Sequence, residues 1–169
     1  MIIRPETPLD HPAIARLTEV AFRGIEHSSQ TEAAIVDALR DAGALTLSLV
    51  AETDQGIVGH AAFSPVRIDG AEGGWFGLGP VSVLPGCQRG GIGSALIGRG
   101  LDRLRQRGAG GCVVLGDPAY YRRFGFSSRH ALRYGDVPPD YFQSLMLAGT
   151  PAAGEVSYHE GFEATASGR

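Results

Sequence analysis

The stretch from Val81 to Leu104 constrains the fold more than any other part of the chain. It contains a short β-branched run, then Pro85, then a glycine-dense loop, and then apolar residues at helical spacing. That order predicts a strand, a loop and a helix in succession. A helix N-terminus after such a loop offers N–H groups without intrahelical partners and a partial positive charge. Both properties favour an anion such as a phosphate.

Glycines in the loop would let a pyrophosphate approach the backbone. Gly90, Gly91 and Gly93 have no Cβ to hold it away, and Arg89 can add a charge-assisted hydrogen bond. A Walker loop is excluded because no lysine follows Gly93, and a dinucleotide fingerprint is excluded because Leu96 stands where its third glycine is needed. Close packing of the helix on the strand is the other explanation for these glycines.

Two short patterns in this chain resemble the landmarks of a known family. Gln88, Gly91 and Gly93 form a Gln-x-x-Gly-x-Gly pattern similar to the coenzyme A binding motif of the GNAT family of N-acetyltransferases. Further along, Tyr121 precedes the Gly125-Phe126 pair by four residues, which resembles the second landmark of that family. Two motifs in the family's order are far more specific than either one alone.

Other segments extend the likeness to most of the chain. The stretch 115–121, together with 156–159 near the end, resembles the YhbS-like branch of the family. The resemblance runs from Ile2 to about Phe162. It implies an α/β fold: a GNAT-like mixed, largely antiparallel sheet with helices on both faces and a splayed strand pair that forms the coenzyme cleft.

The resemblance also implies a reaction. Acetyl would pass from acetyl-CoA, the cosubstrate, to a primary amine by direct attack in a ternary complex, without a metal. Tyr121 would donate a proton to the departing thiolate, although packing in an aromatic core is the other reading of that residue. Backbone and side-chain groups of eight residues would bind the coenzyme: Val81 and Val83 along pantetheine, and Gln88, Arg89, Gly90, Gly91, Gly93 and Ser94 around the pyrophosphate.

The general base is left open by the sequence. The segment 75–83, where family members often place a carboxylate, contains none. The candidates are Glu26, His27, Glu32, His60 and an ordered water. Glu32 also fits the return arm of a capping box, and His60 also fits a hydrogen-bonded core histidine.

Three further readings compete with direct acetyl transfer to an amine. A coenzyme A binding sensor or regulatory module without transferase activity would need the same loop. A different acyl donor or a hydroxyl acceptor would need the same fold. Cys87 lies just before the glycine loop and could act as a nucleophile, but no histidine partner is nearby in sequence. The acceptor itself, a small molecule or a peptide amine, is not identified.

Length, composition and charge indicate how many domains, which partners and which compartment to expect. The chain has 169 residues, of which 43% are hydrophobic, and a formal net charge of -3. We expect a single N-acetyltransferase domain over 1–165 with a frayed tail at 166–169, and no nucleic-acid partner. No apolar window is long enough for a membrane span, and Cys87 and Cys112 suit neither a metal site nor a disulfide framework, which indicates reduced thiols in the cytoplasm. An edge strand could pair with a second copy, so a homodimer is left open.

Periodicity and turn residues predict the elements along the chain. Strands are expected over 1–4, 45–49, 57–66, 75–83, 112–115, 131–134 and 141–147. Helices are expected from about 10, from about 32 to 43, from 91 to 108 and over 118–124, the last capped by Asp117. Gly79-Pro80 predicts a bulge or a splay, because proline cannot donate to a ladder.

Overall fold

The computed structural model describes residues 1–165, so the tail predicted for 166–169 lies outside the described residues. The eight strands are β1 Ile2–Pro5, β2 Leu47–Thr53, β3 Gly56–Ile68, β4 Ala71–Val83, β5 Gly111–Leu115, β6 Ala131–Arg133, β7 Phe142–Met146 and β8 Ala153–Tyr158. The four α-helices are α1 His11–Phe22, α2 Glu32–Asp41, α3 Ile92–Gln106 and α4 Pro118–Tyr121. No helix within 1–165 has both the length and the apolar character that a bilayer crossing requires.

The strands form a mixed, largely antiparallel sheet in the order β1-β2-β3-β4-β5-β7. The β1–β2, β2–β3, β3–β8 and β5–β7 pairs are antiparallel, whereas β4–β5 and β6–β8 are parallel. This confirms the predicted fold class, a mixed, largely antiparallel sheet with helices.

Contact density divides the chain into two compact units. The first unit contains Met1–Phe63, Gly79–Gly100 and the described residues from Glu160 onward. The second unit contains Ser64–Leu78 and Leu101–His159. The strands β3 and β4 and the helix α3 each contribute residues to both units. The single-domain assignment for 1–165 stays a prediction.

In the first unit, helices cover both faces of the strands. Ile14 of α1, Val36 of α2 and Val50 of β2 form one buried cluster. The opposite face of β3 packs against α3, where a Cβ at Gly59 would lie 2.8 Å from Ile92 Cγ2. Gly59 therefore lets the helix that follows the glycine loop pack closely on the sheet. Because both faces are covered, the first five residues of β2 are all buried.

In the second unit, the core forms around aromatic and β-branched side chains. Its buried cluster contains Val66, Trp75, Val113, Leu132, Phe142 and Val156. Trp75 pairs with Gly111 across the parallel β4–β5 ladder, and a Cβ at Gly111 would collide with the Trp75 ring. Because Gly111 has no side chain, the Trp75 indole can pack at this position in the core.

The parallel β4–β5 pairing ends where the sequence predicts an irregularity. The last registered pair is Leu78 with Val114, and the next peptide bond, Gly79-Pro80, is cis. Gly79 has a φ of 139°, a conformation that side-chain-bearing residues rarely adopt. Beyond this point β4 continues to Val83 without a registered partner in β5.

Two local expectations are wrong. No strand is predicted over Ala153–Tyr158, where β8 pairs with β3 and β6. The capping box expected at Glu32 does not form. The helix α2 begins at Glu32 itself, and both carboxylate oxygens of Glu32 accept hydrogen bonds from the Ser28 hydroxyl, at 2.7 and 2.8 Å.

Candidate functional site

The loop between β4 and α3 lies in the first unit and is open to solvent. Gln88, Arg89, Gly90 and Gly91 are exposed, whereas Gly93 and Ser94 are half-buried in the first turn of α3. The first hydrogen bond of the helix runs from the Ala95 N–H to the Gly91 carbonyl, at 3.0 Å. The N-terminus of a 15-residue helix therefore opens directly onto this loop.

Two residues of the loop adopt left-handed backbone conformations. Arg89 has a φ of 67° and Gly91 a φ of 84°. Left-handed residues are typical of backbone concavities that bind anions, in which successive N–H groups point to one side. A Cβ at Gly91 would meet no atom of residues 1–165 within 4 Å, so these residues leave space for a ligand beside this glycine.

Gln88 holds the end of β4 rather than projecting from the loop. Its Nε2 donates to the Val83 carbonyl at 3.2 Å. The structure thus joins two residues that the sequence analysis assigns to coenzyme binding. The Val83 carbonyl, expected to meet pantetheine, already accepts this intramolecular hydrogen bond. A carbonyl oxygen has a second lone pair that can accept another.

The side chain of Tyr121 lies at the end of α4, in the second unit, among aromatic rings. Its ring meets Tyr120 edge-on, with centroids 5.0 Å apart, and meets Phe126 edge-on at 5.9 Å. Burial, with smaller electrostatic contributions from Tyr120 and Cys112, raises the pKa of Tyr121 to about 12. The phenol therefore carries its proton throughout the neutral range, as a proton donor must.

The backbone around Tyr121 is held by three polar contacts. Asp117 caps α4 as predicted, since its Oδ1 accepts from the Ala119 N–H at 2.9 Å. Gly116 accepts from Gln143 Nε2 at 2.9 Å, and its own N–H donates to the Tyr141 carbonyl at 2.9 Å. Gly116 and Gln143 are not among the site residues predicted from the sequence. Their relation to Tyr121 depends on contacts with β7, which no local pattern reveals.

The four candidate bases occupy different surroundings. Glu26 and His27 are exposed in the segment between α1 and α2. Glu32 is engaged by Ser28. His60 is fully buried in β3, and its Nε2 lies 2.8 Å from Ser48 Oγ. His60 is therefore the only one of the four in the core, and Ser48 is a partner that the sequence analysis did not name.

Neither cysteine is disulfide-bonded. Cys87 is half-buried beside the loop, and Cys112 is buried in β5, where burial raises the pKa of its thiol. Within residues 1–165, no group of three His, Cys, Asp or Glu side chains is arranged to hold a metal ion.

Comparisons with known proteins identify the family of this chain. Residues 12–126, which include both the loop and Tyr121, match the model of the Acetyltransferase (GNAT) family. The chain is 40% identical to "Uncharacterized N-acetyltransferase YhbS" of Escherichia coli K12, over 96% of this chain and 98% of that protein.

Two crystal structures are similar over nearly the whole chain. A GNAT family acetyltransferase from Brucella melitensis in complex with acetyl-CoA is 54% identical, with a TM-score of 0.86, over 95% of this chain and 97% of that one. Escherichia coli YhbS in complex with CoA is 39% identical, with a TM-score of 0.85, over 96% of this chain and 91% of that one. The chain therefore belongs to the GNAT family of acetyltransferases.

Proposed function

We propose that this protein transfers the acetyl group of acetyl-CoA to a primary amine by direct attack in a ternary complex. The observation that carries the proposal is the loop between β4 and α3. Arg89 and Gly91 hold left-handed conformations there, at the N-terminus of a long helix, with open space beside Gly91. The relatives crystallised with acetyl-CoA and CoA support the same ligand.

The residues of the loop fit a pyrophosphate. The N–H groups of Arg89, Gly90, Gly91, Gly93 and Ser94 would hold its oxygens, and the helix dipole would favour its negative charge. The exposed Arg89 guanidinium would add a charge-assisted hydrogen bond. The backbone of Val81 and Val83 would bind pantetheine as an added strand, with Gln88 fixing the end of β4.

Two groups would serve the chemical step. The Val81 N–H would stabilise negative charge on the thioester oxygen as the amine attacks. Tyr121 would donate the proton that the departing thiolate takes up. Support for the second role comes from the family motif and from the raised pKa of Tyr121, which keeps the phenol protonated.

For the acceptor we propose a class of compound rather than a single molecule. The amine belongs to a small molecule or a peptide, and the reaction needs no metal. Nucleic acid is not an expected partner for a chain with a formal net charge of -3. The cytoplasm as the site of action and a homodimer as one form of assembly also stay predictions.

Thermal unfolding with acetyl-CoA, free CoA and ATP in parallel tests the coenzyme site. A ligand at about 100 times its dissociation constant stabilises by about 2.7 kcal/mol, which raises the melting temperature by roughly 5 to 10 °C. We expect this shift with both coenzyme A forms and not with ATP. Protein that shows the shift is then assayed for thiol release from acetyl-CoA with a panel of primary amines.

The possible results separate the competing functions. Thiol release that depends on an amine supports the transferase. A coenzyme shift without release with any amine favours a sensor or regulatory module. No shift with either coenzyme A form, on folded protein, would contradict the whole proposal and leave a loop that only packs a helix.

A further inference from the structure

A series of polar side chains crosses the core of the first unit on the face that packs against α1 and α2. The Ser48 hydroxyl donates to Glu6 Oε1, and Ser48 Oγ lies 2.8 Å from His60 Nε2. His60 is fully buried and Ser48 nearly so. Glu6, Ser48 and His60 are therefore joined by continuous hydrogen bonds, and we refer to them as the Glu6–Ser48–His60 series.

The outer end of this series is an ion-paired carboxylate. Arg40 donates to both oxygens of Glu6, at 2.8 and 2.9 Å, and His11 Nε2 lies 2.8 Å from Glu6 Oε2. Burial raises the pKa of Glu6, but the hydrogen bonds from Arg40 and Ser48 outweigh it and hold that pKa below its usual value. Glu6, Arg40 and Ser48 also line a surface pocket of about 270 Å³. The carboxylate is therefore ionised at neutral pH and borders solvent.

The ionised carboxylate fixes the tautomer of His60. A carboxylate accepts hydrogen bonds only, so the single proton of Ser48 is committed to Glu6. The Ser48 oxygen must then accept from His60 Nε2, which carries the ring proton. His60 Nδ1 is left as a bare proton acceptor inside the protein.

The inner end of the series faces β4. His60 Nδ1 and the Ser82 hydroxyl are both buried, and neither has a hydrogen-bond partner among the described residues. The Leu84 N–H donates to the Val58 carbonyl at 3.0 Å, so Ser82 and His60, each two residues from this bond on neighbouring strands, lie close together in the sheet. One water hydrogen-bonded to both groups would satisfy both.

We propose that His60 Nδ1, through such a water held by Ser82, is the proton acceptor for the attacking amine. This inference rests on the proposed function, because Ser82 lies between Val81 and Val83, whose backbone is assigned to the coenzyme. Ser48 and Glu6 are positioning residues. They keep the ring proton on Nε2 and place a negative charge behind the imidazole.

Every proton and every bond formed or broken is accounted for in this step. The amine nitrogen forms the new bond to the acetyl carbon and gives one proton to the water, which passes one of its own protons to His60 Nδ1. The carbon–sulfur bond breaks, and the thiolate takes the Tyr121 proton. His60 becomes an imidazolium whose Nε2–H still donates to Ser48. The imidazolium then returns its proton to solvent, and Tyr121 regains one.

Burial keeps the imidazole of His60 neutral. It lowers the pKa of His60 to about 4, with the nearby Glu6 charge opposing this effect and Arg40 reinforcing it. The imidazole is therefore neutral at pH 7, with a lone pair on Nδ1.

Nitrogen NMR of the histidine rings tests the tautomer without an acceptor. We expect neutral His60 with its proton on Nε2 at pH 7 in the wild-type protein, and a mixture of tautomers in Ser48→Ala. Ser48→Thr keeps the hydroxyl and borders the same pocket, so it should restore the Nε2–H form. A wild-type His60 with its proton on Nδ1 would overturn the proposal whatever the activity.

Thiol release from saturating acetyl-CoA with the amine panel tests the chemistry. We expect Ser48→Ala and Ser82→Ala to lower turnover by about 10², a typical effect of lost acid–base catalysis. Both variants should keep the thermal shift with CoA, and Ser48→Thr should recover most of the turnover. Unchanged turnover in both alanine variants would overturn the role of His60 and leave the proposed transferase intact.

Wild-type protein is the control that separates the two proposals. Wild-type protein that releases no thiol with any amine would contradict the transferase, and His60 as its proton acceptor with it. Two results together would show that Ser48 has only a structural role. The first is that Ser48→Thr does not recover the turnover lost in Ser48→Ala, and the second is that His60 keeps its proton on Nε2 in Ser48→Ala. They would contradict the proposal that Ser48 sets the tautomer of a catalytic His60.

Discussion

Gly116 and the ring of Tyr121 are so close that no methyl group fits between them. A Cβ at position 116 would lie 3.0 Å from Tyr121 Cδ2 and closer still to Cε2. The backbone cannot easily move away. The Gly116 carbonyl accepts from Gln143 and its N–H donates to the Tyr141 carbonyl. A side chain at this position would therefore displace the ring rather than the chain.

Gly116→Ala should therefore lower turnover while coenzyme binding stays unchanged. Displacement of a proton donor by about 1 Å can cost on the order of 10² in rate. The measurement is thiol release from acetyl-CoA, with the thermal shift by CoA as the binding readout. Gly73→Ala is the matched control, because a Cβ at Gly73 would meet no atom within 4 Å. Equal turnover in the two variants would show that the position of the Tyr121 ring does not matter.

Tyr121→Phe removes the proposed proton donor and keeps the ring. Turnover should fall by about 10² or more, with the CoA shift retained, because the loss is confined to proton transfer. Tyr120→Phe provides a control in the neighbouring position, where the ring lies under the Arg123 guanidinium at 4.2 Å. If Tyr121→Phe turns over at the wild-type rate, another group protonates the thiolate.

Local features were predictable from the sequence because few residues determine them. The glycine loop, the start of α3 after Gly91 and the Asp117 cap each depend on neighbours within a few positions. Contacts between distant segments could not be predicted. Ser48 meets Glu6 across 42 positions, and the strand β8 forms only because β3 and β6 lie beside it. The capping box at Glu32 was wrong because Ser28, a residue outside that pattern, binds the carboxylate.

Gly91→Leu tests the proposed pyrophosphate site in the loop between β4 and α3. Gly91 has a φ of 84°, so leucine should cost about 1 to 2 kcal/mol of strain, and its side chain would fill the space beside the loop. Gly108→Leu is matched for strain, since Gly108 has a φ of 78° and no atom within 4 Å of a Cβ. Both variants should lose similar stability in urea unfolding, but only Gly91→Leu should lose the thermal shift with CoA. A retained shift in Gly91→Leu would place the pyrophosphate elsewhere.

The burial of His60 predicts how stability depends on pH. Its pKa is about 4 in the folded protein and about 6.5 in an unfolded chain, so the unfolded chain binds more protons between these values. The contribution of His60 to stability is complete above pH 6.5 and is lost as the pH falls toward 4. From pH 7 to pH 5 the loss is about 2 kcal/mol. We expect the free energy of unfolding, measured in urea, to fall between pH 7 and pH 5 in both proteins. The fall should be larger in the wild-type protein than in His60→Gln by about this amount. Equal drops would mean that the pKa of His60 is the same in the folded and the unfolded chain, so that burial does not keep the imidazole neutral at pH 5.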